Sequence, residues 1–162
     1  MVVLLALAAP AAAQPSEALS INFDATAATA GTWHGGQASG TFTATGALTD
    51  AGRMRLTYRL FGQSMDATTT LIGAKGILTI GQHATVTTTI DHQTVAGRWH
   101  TCGGTGPYRR FSGHGDWIAA VDMLATPTGI VPRALHGSYR GRGHWRSARK
   151  PANPFTPRES WC

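Results

Sequence analysis

Arg53-Met54-Arg55-Leu56-Thr57-Tyr58-Arg59-Leu60-Phe61 changes character at every step. Met54, Leu56, Tyr58 and Leu60 fall on one side, and Arg53, Arg55, Thr57 and Arg59 on the other. Successive side chains of an extended strand point to opposite faces, so a period of two predicts a strand with one face on a core and one in water. The same alternation recurs on both sides of this run. Ser39–Thr45 sets Phe42 and Ala44 against Thr41, Thr43 and Thr45, and Met65–Ile72 is β-branched and leads to Gly73. Ile77–Ile80 sits between Gly76 and Gly81, and Thr85–Ile90 alternates Val86, Thr88 and Ile90 with Thr85, Thr87 and Thr89. Thr94–Cys102 opposes Val95, Gly97 and Trp99 to Arg98 and His100, Ser112–Val121 aligns Trp117, Ala119 and Val121, and Leu135–Tyr139 closes the series.

Eight short strands from Ser39 to Tyr139 result, joined by links of hairpin length such as Thr49–Gly52 and Asp91–Gln93. Short links force antiparallel neighbours, because a parallel return needs a long crossover. A meander of this kind removes its edges by closing on itself, which predicts an all-β, eight-stranded antiparallel closed barrel. A two-sheet sandwich is the competing arrangement. Abundant Thr and Gly, only two glutamates, and no helical run of Ala, Leu, Glu and Lys agree with the all-β class.

The ends read differently. Residues 1–13 carry an apolar run, Val2–Leu7, ending in Ala11-Ala12-Ala13, a small-residue cleavage site that predicts a signal peptide with Gln14 as the new N-terminus, although no Lys or Arg precedes the run. Its apolar part is shorter than the roughly 20 residues a membrane-spanning helix needs. The expectation is a secreted or periplasmic protein that does not span a membrane. Residues 14–38 read as a lead-in with a short strand at Leu19–Phe23 and a loop bearing Trp33 and His34. Residues 140–162 read as an extended or disordered basic tail containing Pro151, Pro154 and Pro157. The net charge of +6 is concentrated there: Arg133, Arg140, Arg142, Arg146, Arg149, Lys150 and Arg158 lie in the last thirty residues, a candidate contact for an anionic surface. Arg140–Arg146 interleaves cations with Trp145, as single-stranded nucleic-acid binders do, but export argues against a nucleic-acid partner.

Two cysteines, Cys102 and Cys162, are too far apart in sequence for a zinc motif and lack obvious neighbours, so no metal or other cofactor is expected. Either they form a disulfide tying the tail to the body, or they remain free or pair between molecules. A loop of roughly 60 residues closed by such a bond would contribute about 4 kcal/mol through chain entropy.

One stretch has a character of its own: Gly104-Thr105-Gly106-Pro107-Tyr108-Arg109-Arg110-Phe111-Ser112-Gly113-His114-Gly115. The glycines around Thr105 predict a tight turn. One helical turn would point Tyr108 and Phe111 into the barrel end, and Gly113 and Gly115 share a strand face where missing side chains permit close approach. This pattern resembles that of the allene oxide cyclase/dirigent-like barrels and their secreted bacterial relatives, as does the hairpin Leu71–Ile80; the resemblance extends over about Thr41–Val121. It implies an eight-stranded antiparallel barrel with a central cavity, often assembled as dimers or trimers. Its members include cyclases of apolar or phenolic substrates, proteins that direct radical coupling, and many without assigned activity. The matched residues are structural, and the resemblance carries no catalytic residue onto this chain.

Candidate chemistry is sparse. Seven histidines are scattered without a His-x-His or His-Glu-x-x-His arrangement. His114 and Asp116 share a face, as do Arg98 and His100, and both pairs read either as acid–base groups or as solvent-facing polar pairs. Met54, Leu56, Tyr58, Trp99 and Trp117 on the apolar faces either fill a solid core or line a cavity for one small ligand. The leading expectation is a non-enzymatic barrel that binds a small apolar or aromatic molecule or serves as a surface protein. The alternative is a cyclase or isomerase folding a flexible apolar substrate in the barrel.

Overall fold

A computed structural model describes residues 15–28, 35–89, 92–127, 129–147 and 162. The predicted signal peptide, Trp33, His34 and most of the C-terminal tail lie outside the described residues. The described residues form eight strands: β1 (Glu17–Ala27), β2 (Gly35–Gly46), β3 (Asp50–Phe61), β4 (Ser64–Gly73), β5 (Gly76–Thr88), β6 (His92–Gly104), β7 (Phe111–Thr126) and β8 (Gly129–Trp145), with a 3-10 turn, Gly106–Arg110, between β6 and β7. Each strand pairs antiparallel with its sequence neighbour, and β8 returns to β1, closing the barrel. Among the described residues no helix is long and apolar enough to cross a membrane.

Three strands depart from the sequence reading. Glu17–Ala27 is a full barrel stave paired with both β2 and β8, where a lead-in was expected. Ile77–Ile80 and the Thr85–Thr88 part of the run Thr85–Ile90 belong to one strand, β5, and Ile90 lies outside the described residues. What obscured its continuity is an inward glutamine, Gln82, where the apolar alternation should continue; the register shift opposite Thr79/Ile80 places its extra residue, Cys102, in β6. The last strand runs to Trp145, so Arg140 and Arg142 are outward residues of the barrel wall. Its inward positions Gly137, Gly141 and Gly143 carry no side chain, which is why the apolar period fails there.

Those glycines face aromatic rings. A Cβ on Gly143 would lie 2.4 Å from Phe111 Cζ, and one on Gly113 would lie 3.1 Å from Trp99 Cη2. Gly115 and Gly141 sit opposite each other in register. There the strands approach so closely that a Cβ on Gly115 would fall 2.1 Å from the Arg140 carbonyl oxygen. Trp99 fills the space beside them, and its Nε1 donates to that same carbonyl at 3.2 Å.

The interior is occupied along its length. Tyr139 stands at its centre, against Phe23 (centroids 5.2 Å apart), Trp117 (5.9 Å, stacked) and Trp99 (6.1 Å, edge-on). From the opposite wall, Thr69 of β4 and Gln82 of β5 reach its hydroxyl. The Tyr139 and Thr69 hydroxyls are 2.9 Å apart, and Gln82 Nε2 donates to Thr69 Oγ1 at 2.8 Å and to Tyr139 Oη at 2.5 Å. All three side chains are inaccessible to solvent. Burial pushes the Tyr139 phenol well above its ordinary pKa, against the opposing effect of its two partners, so it remains a neutral hydroxyl.

Replacing Gly115 by Ala should force β7 and β8 apart and cost about 1–3 kcal/mol, the usual range for overpacking. Urea unfolding followed by tryptophan fluorescence measures it; an unchanged midpoint would mean that the two strands separate here without penalty.

Candidate functional site

The two ends of the barrel are built differently. At one end lie the β2–β3 connection, the β4–β5 turn and the 3-10 turn, and these are locked together by Asp50. Its carboxylate accepts from the backbone N–H of Ala51 (2.8 Å), Ala74 (3.2 Å) and Lys75 (3.3 Å) and from the Tyr108 hydroxyl. Lys75 Nζ donates to the Thr49 carbonyl at 2.7 Å. Partial burial raises the pKa of Asp50, but these four hydrogen bonds outweigh it and hold the carboxyl below its ordinary range. The Gly-Thr-Gly turn ties this cap to β5: Thr105 N–H donates to the Ile77 carbonyl, and Ile77 N–H donates to Thr105 Oγ1. Gly106 adopts φ +54, a left-handed conformation that glycine takes without steric cost. Tyr108 and Phe111 are both buried and both meet the Trp145 ring, at 6.1 and 5.0 Å, and Trp145 Nε1 donates to the Ala47 carbonyl. With Leu48 buried beside them, this end is plugged.

The opposite end is concave and apolar. Tyr58 and Leu60 of β3, Met65 of β4, Val86 of β5, Val95 of β6, Val121 of β7 and Leu135 of β8 surround it, with Gln93 and Pro132 at its margin. It encloses about 30 Å³, room for one water-sized group, and opens outward from there. Tyr58 and Gln93 are the polar side chains of this lining. Gly36 makes space for the phenol: a Cβ there would stand 2.6 Å from the Tyr58 hydroxyl. Burial raises the Tyr58 pKa, so the phenol keeps its proton and presents a donor in an apolar setting.

Of the five residues read as cavity candidates, Tyr58 alone borders this mouth. Met54, Leu56, Trp99 and Trp117 are buried in the continuous core. The mouth residues the sequence reading passed over (Met65, Val86, Val95, Val121 and Leu135) looked like any other inward strand positions. Pro132 and Gly36 were the only local signals.

The outward polar pairs also resolve. Asp116 meets Arg98 at 3.4 Å rather than acting on His114. Histidine–carboxylate pairs do form elsewhere on the wall: His83 Nδ1 with Asp66 and His136 Nδ1 with Asp24, each at 2.6 Å. The Asp24 hydrogen bond raises the His136 pKa against a small opposing effect of burial, with Asp122 adding to the rise. A groove of about 450 Å³ runs over the outer wall at Gly97, between the Arg98–Asp116 pair, Ile118 and Arg140. Cys102 and Cys162 form a disulfide, with Cα atoms 5.6 Å apart, on the outer face of β6. Comparison with protein-family models, curated proteins and solved structures returned no match.

Tyr108→Phe should remove a hydrogen bond to a charged carboxylate and cost about 1.5–3 kcal/mol near neutral pH. Because the folded pKa of Asp50 is depressed, its contribution is complete above the unfolded carboxyl value of about 3.9 and disappears as pH falls through the folded value. The stability difference between wild type and Tyr108→Phe, followed by urea titration from pH 7 down to pH 2, should therefore shrink on acidification. A difference independent of pH would contradict the role given to the charged form.

Proposed function

We propose that this protein is a secreted, non-enzymatic barrel of the allene oxide cyclase/dirigent-like kind that binds a small apolar or aromatic molecule at its open mouth. The observation that carries this reading is the pairing of an apolar concavity with one protonated phenol, Tyr58, at its wall. Pockets for small molecules combine an apolar lining with a few placed polar groups, and this mouth has that composition. The interior beyond it is filled, so a ligand inserts an apolar end rather than being engulfed. Met65, unbranched and adaptable, is the side chain best suited to yield to it. Tyr58 would donate to a carbonyl, ether or phenolic oxygen on the ligand. The two polar groups of the lining, a phenol with a raised pKa and a neutral amide, suit recognition better than proton abstraction. The disulfide and the apolar N-terminal run support export. The closed eight-strand order and the Gly104–Gly115 turn pattern support the family reading.

Calorimetric titration with a panel of phenols, aromatic ketones and medium-chain alcohols tests it. A saturable one-to-one ligand should lose about tenfold in affinity with Tyr58→Phe, the worth of one hydrogen bond. Val86→Phe, which fills the mouth, should lose more. Absence of saturable binding across the panel, or equal binding by Val86→Phe, would sink the proposal.

A further inference from the structure

On the outer wall, away from the mouth, three side chains converge that the sequence holds far apart. His100 and Cys102 stand two residues apart in β6, where Cys102 is the extra residue of a bulge (Ile80 pairs with Thr101 and Thr79 with Gly103), and their side chains approach each other to 3.7 Å. Cys162 comes to the same place from a sequence distance of 60 residues. His100 Nε2 is 2.9 Å from Cys162 Sγ and 3.7 Å from Cys102 Sγ, and the three donor atoms lie within 4.8 Å of one another. In the disulfide neither sulfur is an anion, and the group has no metal-binding capacity beyond a single imidazole.

We propose that reduction of the Cys102–Cys162 bond converts this cluster into a Cys2His site for a thiophilic cation of the zinc class, so that metal binding and disulfide formation are alternative states of one place. A dithiol reductant supplies two electrons and two protons, is itself oxidised to a disulfide, and leaves two thiols. Binding of the divalent cation then releases both thiol protons, with His100 entering as neutral imidazole through Nε2. The geometry is close to what is required. Zinc–sulfur distances of about 2.3 Å and zinc–nitrogen distances of about 2.0 Å place tetrahedral donor atoms roughly 3.5–3.8 Å apart. The His100–Cys102 separation of 3.7 Å already meets this. Only Cys162 must move, away from Cys102 once the covalent bond is gone and slightly away from His100. Three protein donors leave the fourth position to water, the coordination of an open zinc site. Soft thiolates with one imidazole select zinc over magnesium or calcium.

The test uses the full chain, reduced with a dithiol, freed of excess reductant and titrated anaerobically with Co2+ as the spectroscopic stand-in for zinc. Expected is one equivalent of Co2+ with thiolate-to-metal charge-transfer bands and tetrahedral ligand-field bands, both abolished by one equivalent of Zn2+ and absent from the oxidised chain. His100→Ala and the near-isosteric His100→Gln keep both thiols and should each bind Co2+ at least tenfold more weakly. The proposal is overturned if the reduced chain gives no such bands, or if both His100 variants bind as tightly as wild type. It is likewise overturned if reduction abolishes the folded fluorescence of the buried tryptophans and Zn2+ does not restore it, since the cluster then has no scaffold in the reduced state.

Discussion

A phenolic hydroxyl reaching across the middle of the barrel fixes much of this structure. Tyr139 leaves β8, passes between Trp99, Trp117 and Phe23, and ends on Thr69 and Gln82 of the opposite wall. A polar group at the centre of a core costs several kcal/mol unless it is hydrogen-bonded, so the three side chains stand or fall together. Their joint satisfaction sets the distance between β8 and the β4–β5 pair. Two buried polar atoms, Gln82 Oε1 and Trp117 Nε1, have no protein partner among the described residues. The surrounding aromatic burial must outweigh that cost. A purely apolar filling would tolerate slippage of the strands; this one holds a single register, since a shift of one residue would turn Tyr139 to the solvent and strand Gln82 in an apolar interior.

Given that crossbar, the large rings need room, and the glycines of β7 and β8 supply it. Gly113, Gly115, Gly141 and Gly143 lie on the inward face, and the rings of Trp99 and Phe111 occupy space that side chains on Gly113 and Gly143 would need. Each ring fills volume that a side chain on the neighbouring strand would otherwise occupy, so bulk is displaced sideways by one strand rather than lost. This explains how a wall so rich in glycine surrounds a continuous core of buried side chains. The mouth lies at the other end, where Val86, Val95 and Val121 share the lining with Tyr58, Leu60, Met65 and Leu135.

The barrel itself could be read from the sequence because its strands alternate buried and exposed positions, even though the outward face also carries apolar residues such as Ile118 and Leu124. Arg53–Phe61 declares the period outright, and the short links leave antiparallel closure as the economical solution. What escaped notice are the places where alternation is interrupted for a physical reason. Gln82 occupies an inward position because Tyr139 requires a partner, and the sequence carries no mark of that requirement, which arises 57 residues away. Arg140–Trp145 looked like a basic tail because glycines hold its inward positions, and a glycine cannot reveal on which side of a strand it lies. The Gly104–Phe111 turn was legible as a turn, but its fastening to Asp50 was not, because nothing near Asp50 distinguishes it from a hairpin aspartate. The mouth was the least legible part: its residues differ from core residues only by standing at strand ends that face no plug among the described residues.

Period-two geometry lets a single strand serve unrelated purposes without compromise, and β6 illustrates it. Its inward series runs from Val95 at the mouth through Gly97, over which the outer groove lies, to Trp99 against the central tyrosine. The outward series, one residue out of step, carries Arg98 to its ion pair and His100 to the sulfur cluster, which Cys102 joins from the bulge. Thr101 lies between those two donors in sequence, and its Oγ1 accepts from the Gly113 N–H of β7 at 3.1 Å, which ties this stretch to the neighbouring strand. His100 and Cys102 are therefore both held by β6, independently of whether the sulfurs are joined. The outer cluster then needs movement from Cys162 alone, and that residue belongs to no strand of the barrel.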